Sequence, residues 1–115
     1  MKIKTCNLIG KPLDWAVSEA EGVSYADYME DGPINQRKWS TDWAQAGPII
    51  ERECIGILAY GHCSVAPKNP EYWEAAMDAT NESITHYGST PLIAAMRCYV
   101  ASKLGTELEV PDGLV

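Results

Sequence analysis

The densest run of binding chemistry in this 115-residue chain is Asn35-Gln36-Arg37-Lys38-Trp39-Ser40-Thr41-Asp42-Trp43. It sets two cations, two indoles, amides and hydroxyls at the start of an expected helix. A helix N-terminus attracts anions through its free N–H groups and its dipole. Arg37 and Lys38 suit phosphate, and Trp39 and Tyr28 suit stacking on a base. Asn35, Ser40, Thr41 and Asp42 would add polar contacts. A plainer alternative stands beside this one. Trp43 would anchor the helix in the core, Ser40, Thr41 and Asp42 would only cap it, and Arg37 and Lys38 would be loop charges. A second helix start, Gly88-Ser89-Thr90-Pro91, joins the first in a composite site only if the fold brings the two together.

The segment Gly61-His62-Cys63-Ser64-Val65 invites an enzyme reading, because a thiol beside a base becomes nucleophilic. Neighbours on a strand point to opposite faces, however, so His62 and Cys63 would diverge and the base would have to be His86. The alternative is a small buried cysteine beside a surface histidine. Glu51 with Glu53, or Asp27 with Glu30 and Asp31, could form an acid/base pair or a metal site, but nothing in their spacing fixes a geometry. Cys6, Cys54, Cys63 and Cys98 form no C-x-x-C pair, and His62 and His86 stand apart. Structural zinc usually needs short-spaced ligand pairs, so no metal or cofactor is expected.

Sixteen acidic residues against nine basic ones give a net charge of −7. A surface of that sign repels a phosphate backbone, which excludes general DNA or RNA binding. A local basic spot on it suits a small anion better than a polymer. No stretch approaches the ~20 apolar residues that span a bilayer, and no apolar run follows the basic start Met1-Lys2-Ile3-Lys4, so neither membrane insertion nor secretion is expected. Four reduced thiols in a cytoplasmic protein follow. The length and 46% hydrophobic content fit one domain, residues 1–115, with its own core.

The elements that must position these groups read as follows. Residues 12–21 form a first helix, with Pro12 at its first position, Leu13, Ala16, Val17 and Ala20 as its apolar stripe and Gly22 as its stop. A second helix starts near Ser40, Thr41 and Asp42 and carries Trp43, Ala46, Ile49, Ile50 and Glu53, with a kink or restart at Pro48. Residues 54–60, 72–77 and 83–87 read as strands, although residues 71–76 alone would suit a helix as well. On the third strand Ile84 and His86 would share one face and Thr85 and Tyr87 the other. A third helix has Thr90 as N-cap, Pro91 at its first position, a buried stripe of Leu92, Ile93, Met96, Tyr99, Val100 and Leu104, and Gly105 as its stop. The tail Val110-Pro111-Asp112-Gly113 reads as extended and partly loose. The fold class is α+β in the order α-α-β-β-β-α, a three-stranded antiparallel meander packed against two or three helices.

Residues 40–53, Ser-Thr-Asp-Trp-Ala-Gln-Ala-Gly-Pro-Ile-Ile-Glu-Arg-Glu, resemble a signature of the NinX-like proteins of lambdoid bacteriophages. Residues 87–105 look like that family's C-terminal block, and Met1-Lys2-Ile3-Lys4-Thr5 with Leu13-Asp14-Trp15-Ala16-Val17 fits its opening. The order of a Ser-Thr-Asp helix, a meander with a Trp and a Thr-Pro-Leu helix is also similar to small phage proteins described as α-β-α sandwich domains. The resemblance implies a phage accessory protein with no assigned catalytic residues. Such proteins often counter host defence. Some sequester nucleotide signals such as cyclic oligonucleotides or cyclic ADP-ribose derivatives, and others bind a host protein. The expectation is therefore a non-enzymatic binder of a small anionic nucleotide in the host cytoplasm. A chain this small would work as a homodimer or larger closed oligomer with pockets at subunit boundaries. The alternatives are an acidic inhibitor docking on a host protein, and a small enzyme with Cys63 as nucleophile.

Overall fold

The computed structural model describes residues 1–23, 37–59, 73–79 and 82–114. In chain order these form β1 (Lys2–Lys4), a 3-10 turn (Thr5–Asn7), α1 (Gly10–Ala20), α2 (Trp43–Glu53), β2 (Gly56–Ala59), β3 (Trp73–Ala79) and β4 (Glu82–Gly88). They continue with α3 (Pro91–Leu104), β5 (Glu107–Glu109) and a closing 3-10 turn (Asp112–Leu114). The class is α+β, as the pattern predicts, with β2, β3 and β4 pairing antiparallel in that order.

α3 is the piece on which the rest is assembled. Thr90 caps it, its Oγ1 accepting the Ile93 N–H at 3.2 Å, and Pro91 opens it. The helix lies on β2, β3 and β4, and α1 and α2 pack on α3 in turn. Being covered on both sides, it buries Leu92, Ile93, Ala94, Ala95, Met96, Cys98, Tyr99 and Val100 in one nearly unbroken run. A one-sided stripe was expected; a helix enclosed in the middle of a fold is apolar all round instead. Leu104, assigned to that stripe, is exposed where the last turn emerges from the core.

The sheet presents Ile57, Ala75, Met77, Ile84 and His86 toward α3, and the register sets Ala75 opposite both Ile57 and His86. Thr85 and Tyr87 take the other face and are exposed, as the alternation requires. Gly88 ends β4 against the first turn of α3. A Cβ placed on it would stand 2.6 Å from the Ala94 nitrogen and 2.7 Å from Ile93 Cγ2, so only glycine permits this approach.

Three further expectations change. α2 runs unbroken through Pro48, without the restart. Pro48 and Ala44, whose carbonyl it leaves unbonded, both lie on the exposed side of the helix. Trp43, the alternative core anchor, is 55% exposed. The C-terminal tail is tied down rather than loose. Val110 and Leu114 are buried, the Val110 N–H donates to the Met1 carbonyl, and β5 pairs with β1 in a ribbon that the sequence reading did not anticipate.

Candidate functional site

Residues 38–42 form a tight turn into α2, with the Thr41 and Asp42 N–H groups both donating to the Lys38 carbonyl. Asp42 caps the helix, its Oδ1 accepting the Ala44 N–H at 2.9 Å while its Oδ2 accepts from Gln45 Nε2 at 3.2 Å. The turn is fastened to α1 at two points. Trp39 Nε1–H donates to Ser18 Oγ at 2.9 Å, and the Ser40 N–H donates to Asp14 Oδ1 at 2.8 Å. Burial raises the Asp14 carboxyl above its ordinary value, and the bonding to Ser40 opposes that rise. The Ser40 hydroxyl is buried beside the same carboxylate but makes no bond of good geometry among the described residues.

Contacts between α2 and α3 join start to start and end to end. Near their beginnings Ser40, Thr41 and Trp43 face Thr90, Pro91, Leu92 and Ile93 across a cavity of about 240 Å³. Toward their ends Arg52 Nη2 meets the Tyr99 hydroxyl at 3.1 Å. The helices therefore run in the same direction, and both N-termini open on one cavity. The caps use the Ala44 and Ile93 N–H groups. The first-turn N–H groups of Trp43 and Leu92, two residues in the wall, take no partner among the described residues. Such free donors, with two positive dipole ends, are what an anion meets at a helix start.

The sequence expectation is thus partly assembled. Ser40, Thr41 and Thr90 meet in one place. Arg37 is half-buried and Lys38 exposed just before the turn, and neither lines the cavity. Asp42 points its carboxylate into its own helix. Trp39 packs against the core with its N–H committed to Ser18, so the indole face open at this site is that of Trp43. Tyr28, Asn35, His62 and Cys63 lie outside the described residues.

A second cavity, of about 540 Å³, lies on the other side of the β4–α3 junction, and its walls include Thr85, His86, Ser89 and Arg97. The sequence reading passed over Arg97. The available signal was its place as the lone charge in the apolar run 92–100. His86 is held below its ordinary value by burial and then by the charge of Arg97. Cys98 lies under the sheet, its thiol donating to the Ile84 carbonyl at 3.1 Å, and burial pushes it up to about 11, which makes it an inert core group. Among the described residues no cluster of His, Cys, Asp and Glu could hold a metal ion, and no helix is long and apolar enough to cross a membrane.

Compared with known families, residues 4–103 match the family model described as Bacteriophage P22, NinX. No curated protein matches the chain.

Proposed function

We propose a function from one premise: the chain belongs to the Bacteriophage P22, NinX family. Our reading is a non-enzymatic phage accessory protein that sequesters a small anionic nucleotide in the host cytoplasm and so blunts a defence signal of the cyclic oligonucleotide or cyclic ADP-ribose type. The observation that carries it is the convergence of the α2 and α3 N-termini on one cavity beside the exposed Trp43. The helix starts and the Thr41 and Thr90 hydroxyls would meet phosphate, Arg37 and Lys38 would draw it in, and the Trp43 face would take a base. The cavity is smaller than the ~300–1,000 Å³ usual for an enclosed ligand, which favours a homo-oligomer that completes it.

A thermal-shift screen of cyclic di- and trinucleotides, cyclic ADP-ribose isomers and linear nucleotides tests this reading. Ligand at ~100 times its Kd adds about 2.7 kcal/mol to stability, a shift of several degrees in a domain of this size. Recovery of the ligand unchanged by mass spectrometry distinguishes sequestration from cleavage. Trp43→Ala should weaken binding by about 1–3 kcal/mol, the usual worth of a base–aromatic stack, and Arg37→Glu, which acts from outside the cavity, should weaken it by a smaller amount that fades at high salt. Full binding by both variants refutes the site.

One observation favours the second reading, an acidic inhibitor of a host protein. On the sheet face away from α3, Leu58 and Tyr87 are 52% and 44% exposed and flank Glu74 in register. Large apolar side chains of this kind anchor interfaces. A host polypeptide held through that face, with a flat nucleotide screen, would select this reading.

A further inference from the structure

We propose that the cavity beside Arg97 is a seat for the phosphate group of a small molecule, separate from the cavity at the helix starts. Arg97 rises from α3 toward the end of β4, and backbone carbonyls fix its plane. Nε donates to the Leu8 carbonyl at 2.8 Å and Nη1 to the Tyr87 carbonyl at 2.7 Å. A guanidinium has five N–H donors in a rigid fork. Two are used, and the described residues accept none of the other three. The charge is also unbalanced. Among the described residues no carboxylate comes within ion-pair distance of Arg97, on a chain with sixteen acidic residues. Arg52 shows the alternative, with carboxylates of Glu21 and Glu53 at 2.7 and 2.9 Å. A half-buried, permanently charged group held only by carbonyls retains most of its demand for an anion.

The remaining walls favour phosphate over carboxylate. Ser89 brings a hydroxyl from the exposed turn, and the half-buried His86 brings an imidazole from the α3 side of β4. These groups come from strand, turn and helix, so donors surround the space from several sides. Several directions suit a tetrahedral group with three free oxygens, whereas a planar carboxylate would be satisfied by the guanidinium edge alone. The volume of about 540 Å³ leaves room for the rest of a small phosphorylated molecule. None of this depends on the nucleotide reading, since the two cavities share no lining residue.

The test is a ¹H–¹⁵N NMR titration of the full chain with inorganic phosphate, and with acetate and chloride at matched ionic strength. Saturable shifts at the Gly88 and Ser89 amides and at Arg97 Nε–H, with phosphate only, are expected. Ser89→Ala, on the exposed turn, and His86→Gln, a half-buried replacement that keeps a polar side chain, should each weaken phosphate binding while the rest of the spectrum keeps its folded dispersion. Arg97→Lys keeps the charge but loses the fork, and should weaken it about tenfold or more, the scale of one charge-assisted hydrogen bond. Phosphate held at the helix starts would instead shift the Thr41, Trp43 and Leu92 amides, which separates this proposal from the nucleotide site. Equal shifts with chloride or acetate, shifts confined to residues 40–43, or unchanged affinity in His86→Gln and Ser89→Ala would overturn the assignment.

Discussion

Asp14 and Glu21 are carboxylates seven residues apart at one helix, and the fold pulls them in opposite directions. Both lose water, which raises a carboxyl pKa. At Asp14 burial prevails, because its chief partner is the neutral Ser40. At Glu21 the bonds from Arg52 and Tyr99 overcome burial and hold the carboxyl below its ordinary range. The two sites mark two ends of the molecule. Around Glu21 the charges are closed on one another. Arg52 grips both Glu21 oxygens, at 3.3 and 2.7 Å, and lies 5.7 Å over the Tyr99 ring, while the Tyr99 hydroxyl donates to Glu21 and Lys103 faces Glu53 at 3.7 Å. Around the helix starts and Arg97, donors outnumber acceptors. One end locks α1, α2 and α3 together; the other leaves the Trp43 and Leu92 N–H groups and three Arg97 N–H groups without acceptors among the described residues.

The largest expected effect breaks the open end. Gly88→Ala places a methyl carbon on the Ala94 nitrogen and Ile93, and backbone cannot step aside as a flexible side chain would. Overpacking of this kind costs about 1–3 kcal/mol, and the upper part of that range is expected here. Both cavities border this junction, so a thermal melt should show the loss of stability and the two ligand titrations should weaken together. A variant that melts like the parent would show that β4 and α3 separate easily.

The closed end is tested by Tyr99→Phe and Glu21→Gln. Tyr99 is almost fully buried, and removing its hydroxyl deletes hydrogen bonds to charged partners, worth about 1.5–3 kcal/mol before relaxation. The pH dependence carries a definite sign. Glu21 has a folded-state value below its ordinary 4.5, so its contribution is complete above 4.5 and is lost as pH falls through the folded value. The gap between parent and Glu21→Gln should therefore be widest near neutrality and close in acid. Asp14 should behave in the opposite sense. Its folded-state value lies above its ordinary 3.8, so folding is favoured at low pH and penalised as pH rises through the folded value. Asp14→Asn keeps an oxygen for the Ser40 N–H and should gain on the parent as pH rises, by about 1 kcal/mol or less given solvent screening. Denaturant melts from pH 3 to 7 measure both slopes, and slopes of the same sign would remove the contrast.

What the residues reveal in advance divides along the same line. α3 was legible because Thr90, Pro91 and Gly105 are local signals that act within one turn. β4 was legible because its alternation survives with one face exposed. The all-round burial of α3 was not, since it depends on what lies on both sides of the helix. The β1–β5 ribbon was hidden by its length, three residues a strand joined across the whole chain. At the helix-start site the hydroxyls of Ser40, Thr41 and Thr90 could be picked by type, but their meeting across 50 residues is a tertiary fact. Arg97 could not be placed at all, because its anchors, Leu8 and Tyr87, are 89 and 10 residues away.

The smallest expected effect sharpens the comparison by stabilising the closed end without touching its charges. α2 stops at Cys54, whose φ of 55° and ψ of 45° are left-handed. The turn has the bond pattern of a glycine-terminated helix: the Ile55 N–H reaches the Ile50 carbonyl at 3.0 Å and the Cys54 N–H the Glu51 carbonyl at 3.3 Å. A Cβ in this conformation crowds its own carbonyl, which costs roughly 1–2 kcal/mol. Glycine removes that crowding but adds backbone freedom to the unfolded chain, worth about 0.5–1 kcal/mol in the other direction. The thiol side chain is exposed, with only a 3.9 Å contact to the Glu51 carbonyl to lose. Cys54→Gly should therefore raise stability by a few tenths to about 1 kcal/mol. Because Arg52 and Glu53 precede it directly, the gain should persist in Tyr99→Phe if the turn and the charge cluster act independently. A gain that vanishes in the double variant would show that the helix stop and the Glu21–Arg52–Tyr99 cluster form one cooperative unit.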